Sequence, residues 1–310
     1  MMPPIRLLLA LLAAAALGGA VAAPASAQQP APTSFPVQTV EVRGATLGYR
    51  DINPTASGTP LVLIAGYGLT MAEWDPTFVM TLAQDRRVIT FDNRGMGTSS
   101  GPVRGLTVRS MARDTAALIR ALRLGRVDVL GWSMGGYIAQ QLAISQPKLV
   151  NRLILAATDP GSPHAIEPTQ QVIDVLTNPS TTPTDLLPIL FPADQQATGQ
   201  AWMAAIGTQP NLTAADFAAP PATMAAQSRA TGRRWYGRGH GTYRNLHRIK
   251  AATLVAHGTE DVIVPPGNAR LLARRIPKVT RATYPDAGHA FLFQDPAAKA
   301  QAFATFLSRG

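Results

Sequence analysis

The chain has 310 residues, of which 46% are hydrophobic and 15% are charged, and its formal net charge is +10. This length and balance are typical of one large α/β domain with an insertion, or of two small domains, and they exclude an intrinsically disordered chain. Because the chain has no cysteine, its sequence also excludes disulfides, thiolate catalysis, zinc–thiolate sites and a bacterial lipoprotein anchor.

The first 27 residues have the pattern of a secretory signal peptide. Arg6 is the only charged residue among the first 40, residues 7–17 are apolar, and the sequence Ala-Ser-Ala ends at residue 27. The apolar run is short for a bilayer-spanning helix, which needs roughly 20 residues, and no later segment approaches that length. We therefore predict cleavage after Ala27, a secreted or periplasmic protein and no transmembrane span; an uncleaved anchor is the alternative.

Short strand candidates follow the signal peptide. Residues 28–36, rich in Gln, Pro, Ala, Thr and Ser, are typical of a flexible lead-in. Residues 37–42 and 45–52 have strand patterns and are joined by the hairpin-like pair Arg43-Gly44. The continuous apolar run 61–65 is typical of a strand buried on both faces of a parallel sheet. The folded part of the chain is therefore predicted to begin at residue 37.

From residue 71 onward, helical and strand patterns alternate. The predicted helices span residues 71–83, 108–122 (capped by Thr107), 134–145, 267–275 and 296–307, and the predicted strands span 87–91, 127–130, 153–157, 252–256 and 279–284. This alternation favours an α/β fold with a doubly wound, mostly parallel sheet and helices on both faces. We assign residues 37–158 and 241–310 to this core.

The alternation is interrupted between residues 159 and 240. This stretch, called the insertion below, holds ten prolines and several short helical patterns, but no clear strand. Strand and helix patterns resume after it, so a helical insertion into the α/β core is the simplest interpretation.

The pentapeptide Gly131-Trp132-Ser133-Met134-Gly135 is the strongest functional signal in the chain. It lies where a predicted strand turns into a predicted helix, and a serine on such a sharp turn presents its Oγ to a cleft. The flanking glycines let strand and helix pass each other closely. We predict Ser133 as a nucleophile, with a simple glycine-rich turn as the alternative.

A serine nucleophile needs a histidine to accept its proton and a carboxylate to orient that histidine. His289 comes directly after the last predicted strand, at the sheet edge where an open α/β sheet places its site. Asp261, in the loop after the penultimate strand, is the favoured acid, and Asp159 is the alternative. The other histidines are predicted to be surface or structural residues: His164, His240, His247 and His257.

The order Ser133, Asp261, His289, each after its own strand, resembles the α/β-hydrolase fold superfamily. The resemblance covers residues 37–158 and 245–308. Its matching pieces are the sequence Gly-Trp-Ser-Met-Gly-Gly, the loop 92–99, the acid loop ending in Val264-Pro265, and Gly288-His289 followed by Asp295-Pro296. Asp92 and Arg94 are predicted to stabilise their turn. The insertion resembles the helical cap that covers the site and selects substrates in this superfamily.

The resemblance also implies an oxyanion hole built from two backbone N–H groups. One belongs to Met134, after the nucleophile, and the other matches Tyr67 in the loop Ala65-Gly66-Tyr67-Gly68. The family commonly has a histidine where this chain has Ala65, which leaves open how the loop is braced. The residues predicted to line the pocket are Gly66, Trp132 and Phe291.

Seven basic and no acidic residues lie between Arg229 and Lys250. A solvated surface is the favoured interpretation, and an acidic substrate or an anionic surface is the alternative. We predict no nucleic-acid partner, because no nucleic-acid-binding motif accompanies this stretch.

The sequence as a whole predicts a serine hydrolase that cleaves a small-molecule carboxylic ester or lactone through an acyl-enzyme. Neither a metal nor an organic cofactor is expected. The alternatives on the same triad are a carbon–carbon bond hydrolase, an aminopeptidase, an acyltransferase and a cofactor-free perhydrolase or haloperoxidase. A small-molecule receptor of the same fold is the non-enzyme alternative. The natural substrate, its acyl-chain length and the oligomeric state do not follow from the sequence.

Overall fold

An eight-stranded sheet forms the centre of the fold. The computed structural model describes residues 30–178, 180–232, 235–237 and 241–309. The predicted signal peptide lies outside the described residues, as do Arg233, Arg234, Arg238 and His240. The strands are β1 (Gln38–Val42), β2 (Ala45–Ile52), β3 (Gly58–Ile64), β4 (Arg86–Phe91), β5 (Val127–Trp132), β6 (Val150–Ala156), β7 (Ala252–Gly258) and β8 (Val279–Tyr284).

The strands are arranged in the order β1-β2-β4-β3-β5-β6-β7-β8. β1 and β2 form an antiparallel hairpin, and β2 also pairs with β4 in antiparallel orientation. All the remaining neighbours in this order, from β4 to β8, pair in parallel. Arg43 and Gly44 both have positive φ, 50° and 71°, as a two-residue turn that matches the twist of a hairpin requires. The predicted mostly parallel, doubly wound sheet is confirmed.

Helices cover both faces of the sheet. They are α1 (Pro76–Leu82), α2 (Val108–Ala121), α3 (Met134–Ser145), α4 (Gln170–Thr177), α5 (Pro183–Leu190), α6 (Gln196–Gly207), α7 (Pro221–Thr231), α8 (Gly267–Ala273) and α9 (Pro296–Ser308). Side chains alternate along each strand, so Val62 and Ile64 join the apolar cluster under α2, α3 and α8. Leu61 and Leu63 join the opposite cluster, under α1 and α9. In the described residues, no helix has the length and apolar character needed to cross a bilayer.

One predicted helix is divided in two. Residues 71–83 form a 3₁₀ turn at Met71–Glu73 and then α1, which begins at Pro76. Proline lacks an N–H and therefore begins a helix more readily than it continues one. Asp75 caps the new start, because its carboxylate accepts the Phe78 N–H at 2.9 Å.

Residues 31–36, which the sequence predicts as part of a flexible lead-in, are instead held against the core. Pro32–Ser34 form a 3₁₀ turn in which Thr33 is buried. The buried Arg50 of β2 donates a hydrogen bond to the Phe35 carbonyl at 2.6 Å. A buried guanidinium needs such acceptors, and the backbone of this segment supplies one.

The insertion contributes α4 to α7 and, in its described residues, no strand. It packs on the core through aromatic rings and backbone contacts. Trp202 of α6 stacks on Phe293, with ring centres 5.1 Å apart. The Leu190 carbonyl at the end of α5 accepts the Ala290 N–H at 2.9 Å. The insertion therefore touches the loop that follows β8, where His289 lies.

Candidate active site

Ser133 lies at a strained turn between β5 and α3. Its backbone has φ 57° and ψ −122°, a region that residues with a Cβ rarely adopt. The glycines on either side are required by close packing: a Cβ added at Gly131 would lie 2.3 Å from the Gly135 carbonyl oxygen, and one added at Gly135 would lie 2.0 Å from that of Ile64. Ser133 is half-buried, and its Oγ makes no hydrogen bond with a described residue. The predicted nucleophile is thus presented on a rigid turn with a free hydroxyl.

Asp261 and His289 meet at the carboxyl ends of β7 and β8. The His289 Nδ1 lies 2.9 Å from Asp261 Oδ2 and 3.0 Å from Oδ1. Asp261 Oδ1 also accepts the N–H groups of Ile263 and Val264, at 3.0 and 2.8 Å. Both side chains are buried. In a neutral imidazole, this pairing places the proton on Nδ1 and leaves Nε2 as a proton acceptor.

The environment of Asp261 favours its ionised form. Burial alone raises the pKa of this carboxyl, but the charge and hydrogen bonds of His289 and His257 hold it well below its ordinary value. An ionised carboxylate beside Nδ1 stabilises the imidazolium that forms when the histidine accepts a proton.

His257, predicted from the sequence to be structural, contacts the same carboxylate. Its Nε2 lies 3.1 Å from Asp261 Oδ2 and 2.7 Å from the Val264 carbonyl oxygen. Because a carbonyl oxygen only accepts, Nε2 carries the hydrogen and donates it. The contact joins the end of β7 to the loop four residues later, and only that spacing indicates it in the sequence.

Trp132, the residue before Ser133, contacts the loop of His289. Its indole N–H donates to the His289 carbonyl at 3.0 Å, and the two rings lie 5.8 Å apart. The role of Trp132 and Phe291 in a substrate pocket stays a prediction, and the structure shows where the two rings lie. Both are buried in the core, 2% and 0% exposed, and neither lines the cavity of about 440 Å³ between α5 and the Asp261 loop. Rings of this size beside a loop fill space and fix its position.

The loop 65–68 passes directly beside Ser133, since a Cβ added at Gly66 would lie 3.3 Å from the Ser133 Cβ. Met134 is the first residue of α3, and the first N–H groups of a helix have no partner within it. Neither the Met134 nor the Tyr67 N–H donates to an acceptor in the described part of the chain. Both predicted donors are therefore available to an oxyanion.

Gln227 of α7 braces this loop from the insertion. Its Oε1 accepts the Gly68 N–H at 2.9 Å, and the side chain is fully buried. The partner is a donor, so the orientation of the amide follows from the contact. Gln227 supplies a brace in a loop where Ala65 has no polar side chain. Gln227 is not predictable from the sequence, because nothing in a helix distant along the chain marks its contact with the loop.

Asp159, the alternative acid, is placed elsewhere. Its carboxylate accepts hydrogen bonds from the Tyr137 and Tyr236 hydroxyls at 2.6 and 2.7 Å. It also accepts the Trp235 indole N–H at 3.0 Å. Burial raises its pKa despite these bonds. The structure does not bring Asp159 into hydrogen-bond contact with His289; it ties the end of the insertion to α3.

Asp92 and Arg94 stabilise the turn that supports the site. Asp92 accepts the N–H groups of Met71 and Thr98, each at 2.7 Å. Arg94 makes a two-point contact with Asp114, at 2.9 and 2.8 Å. Burial raises the pKa of Asp92 to about 6. These contacts agree with the predicted structural roles. Among the described residues, no cluster of His, Asp and Glu is arranged to hold a metal ion.

Comparison with known proteins identifies one matching family model and several similar proteins. A family model described as the alpha/beta hydrolase fold matches residues 59–296. The chain is 30% identical to a poly(3-hydroxyalkanoate) depolymerase from Ectopseudomonas oleovorans, over 81% of this chain and 85% of the relative. It is 28% identical to a non-heme chloroperoxidase from Streptomyces lividans, over 82% and 92%. A thermophilic esterase structure from Thermogutta terrifontis superposes with a TM-score of 0.70 at 25% identity, covering 87% and 98%.

Proposed function

Because the chain belongs to the alpha/beta hydrolase fold family, we propose that it is a serine hydrolase that cleaves carboxylic esters or lactones. The observation that carries the proposal is the buried Asp261–His289 pair at 2.9 Å. Trp132, which is adjacent in sequence to Ser133, anchors the loop of this pair through the His289 carbonyl.

In the proposed mechanism, Ser133 Oγ attacks the substrate carbonyl while His289 Nε2 accepts the hydroxyl proton. Asp261 stabilises the imidazolium, and the N–H groups of Tyr67 and Met134 stabilise the oxyanion. His289 then protonates the leaving alcohol. Water attacks the acyl-enzyme with His289 as base and regenerates the serine. The proposed step requires a hydrogen bond between Ser133 Oγ and His289 Nε2, and catalytic hydrogen bonds of this kind commonly tighten only when substrate binds.

The names of two similar proteins support an ester as substrate. One is called a depolymerase and the other an esterase. The relative called a non-heme chloroperoxidase favours a second candidate on the same triad, in which hydrogen peroxide in place of water attacks the acyl-enzyme. The two candidates share the acylation step and differ only in the nucleophile of the second step.

We propose further that the protein acts outside the cytoplasm, on the strength of its N-terminal sequence. Expression of the full chain, followed by cell fractionation and N-terminal sequencing, tests this. A mature protein that begins at Gln28 in the periplasm or medium supports it, and an intact N-terminus in the cytoplasm overturns it.

The test of the activity is a substrate screen with purified protein. It uses p-nitrophenyl esters of increasing chain length, lactones, p-nitroanilides and a peroxide-dependent halogenation assay, with Ser133→Ala as the control. We expect ester or lactone turnover that is lost in the variant. Amide turnover without ester turnover, or equal rates for both proteins, contradicts the proposal.

A further inference from the structure

The net charge of this protein is concentrated in one stretch of its chain. Twelve of the 28 Lys and Arg residues, but only two of the 18 Asp and Glu residues, lie between residues 229 and 285. Outside this stretch basic and acidic residues are equal in number, so the stretch accounts for the whole formal charge of +10. One of its two acids is Asp261, which is buried against two histidines.

The fold gathers exposed members of this stretch at the amino-terminal ends of β7 and β8. We call the following group of exposed residues the basic face: Arg244, Arg248, Lys250, Arg274, Arg275 and Lys278. The first three lie before β7 and the others between α8 and β8. Arg275 joins the two sets, because its Nη2 donates to the Arg244 carbonyl at 3.4 Å. The Lys278 carbonyl accepts the Thr253 N–H at 2.7 Å, which fixes the start of β8 beside β7.

Two more cations extend the basic face. Arg270 is exposed on α8 one helical turn before Arg274, which caps the helix with helical backbone angles, so the two lie on the same side. Val279 packs in the cluster under α8, and alternation along β8 places the exposed Arg281 on that side of the sheet. In the described part of the chain, none of these eight cations forms a salt bridge.

An unpaired cation cluster is costly for the folded protein. Like charges one helical turn apart repel each other, and concentrated charge destabilises the compact state. The same concentration produces a local positive potential that attracts polyanions and divalent phosphate groups. Guanidinium groups in particular bind phosphate oxygens in two-point contacts.

We propose that the basic face binds an anionic phospholipid surface and holds the protein there with its active site turned away. The residues of the site follow the carboxyl ends of β5, β7 and β8, whereas the basic face lies at the amino-terminal ends of β7 and β8. Because these strands run parallel, their amino-terminal ends all lie at one end of the sheet and their carboxyl-terminal ends at the other. A membrane docked on the basic face therefore leaves the site open to the aqueous phase.

The composition of the face favours a bilayer over a single-stranded nucleic acid, and the duplex competitor in the experiment below tests double-stranded DNA. Binding of single strands depends on exposed aromatic rings on which bases stack. Tyr243, the tyrosine beside Arg275, is only partly exposed, and its ring contacts the Arg275 guanidinium at 5.2 Å and the His164 ring at 4.1 Å. An anionic bilayer requires only a density of exposed cations.

The experiment is vesicle co-sedimentation of the mature protein. It compares phosphatidylcholine vesicles with vesicles that also contain phosphatidylglycerol, at low and high salt. The test variant carries Arg248→Gln, Arg274→Gln and Lys278→Gln. The control carries Arg104→Gln, Arg109→Gln and Arg113→Gln, which remove the same charge from exposed positions in α2 and in the turn before it. Free inorganic phosphate and a DNA duplex are added as competitors.

We expect wild type to bind only the phosphatidylglycerol vesicles, and less as salt rises. The test variant should lose at least about ten-fold in vesicle affinity, while the control retains it. Vesicle-bound wild type should turn over a soluble p-nitrophenyl ester at the rate of the free protein. The vesicle readout does not depend on activity, so it is separate from the test of the proposed function.

Four outcomes overturn the proposal. They are no binding to phosphatidylglycerol vesicles at low salt, equal losses in the two triple variants, release from the vesicles by inorganic phosphate or DNA at an ionic strength at which sodium chloride does not release the protein, and blocked ester turnover on vesicles. The last contradicts the orientation and the others contradict the surface.

Discussion

At Ser133 the backbone is held in a conformation that costs of order 1–3 kcal/mol. The turn cannot move to relieve this strain, because Gly131 and Gly135 pack closely against backbone atoms on both sides of it. Strain of this kind persists where the surrounding structure fixes it, and it is common where a side chain must be presented to a substrate. We therefore expect the rigidity of this turn to serve the proposed nucleophile.

The choice between the two candidate acids is testable at single residues. Asp261→Asn should lower kcat by about 10⁴-fold, because the imidazole loses the carboxylate that orients it and stabilises its charge. Asp159→Asn should lower kcat far less and should lower stability by roughly 1–3 kcal/mol, because it weakens a buried hydrogen-bond network. Ester kinetics and urea unfolding of both variants measure this. The reverse ranking in kcat would move the acid to Asp159.

Glu73 gives a prediction about pH. Burial raises the pKa of this carboxyl to about 7, against the lowering effect of the hydrogen bonds from Thr70. A carboxyl whose pKa is higher in the folded than in the unfolded state makes the protein less stable as pH rises from about 5 to about 8.

Glu73→Gln cannot ionise and keeps an acceptor for the Thr70 N–H. It should therefore be as stable as wild type near pH 5 and more stable, by roughly 1–2 kcal/mol, near pH 8, with the partial exposure of Glu73 taken into account. Urea unfolding across this range measures the difference, with Glu260→Gln at an exposed position as the control. Parallel pH curves for wild type and Glu73→Gln would contradict the prediction.

Among the elements, α7 connects the insertion to the proposed oxyanion loop. Two of its side chains form hydrogen bonds with the core: Gln227 accepts the Gly68 N–H, and Thr223 Oγ1 donates to the Gly95 carbonyl at 3.0 Å. Only the first of these contacts touches the loop beside Ser133. Substitution of each residue in turn can therefore distinguish the support of the loop from the attachment of the helix.

Gln227→Met should lower kcat by about ten-fold with little change in KM, since a displaced oxyanion donor weakens binding of the transition state more than of the substrate. Thr223→Val, its matched control, should leave kcat unchanged and lower only stability. Steady-state kinetics on one ester, beside thermal unfolding, measure both. Equal losses of kcat in the two variants would show that α7 acts by attachment alone.

Local patterns made much of the fold predictable. The strand, turn and helix around Ser133 depend on residues adjacent in sequence, and α3 and β8 have the predicted bounds. The contacts that support the site do not follow from local patterns, because they join residues that are distant in the sequence or depend on packing. His257 and Gln227 reach their partners through the tertiary structure, and the burial of Trp132 and Phe291 depends on what packs against them. Sequence periodicity carries no information on such contacts.

At the scale of the whole molecule, one buried ion pair joins three parts of the chain. The Arg50 Nη2 lies 2.6 Å from Asp216 of the insertion, and both side chains are almost fully buried. Arg50 also donates to the Phe35 carbonyl. The core, the insertion and the segment before β1 are thus attached to one guanidinium.

Arg50→Met should destabilise the protein by roughly 3–5 kcal/mol, because it leaves the Asp216 carboxylate buried without its partner. Arg87→Met removes the pair with Asp51, in which the arginine side chain is 24% exposed, and should cost about 1 kcal/mol or less. The free energy of unfolding in urea measures both. Equal costs would contradict the role of Arg50 as the common attachment.

The most direct measurement of the proposed triad is labelling by a fluorophosphonate, with the modified residue identified by mass spectrometry. We expect one label, on Ser133, in the wild-type protein, none in Ser133→Ala, and much slower labelling in His289→Gln. A folded wild-type protein that remains unlabelled, or a label that persists in Ser133→Ala, would contradict it.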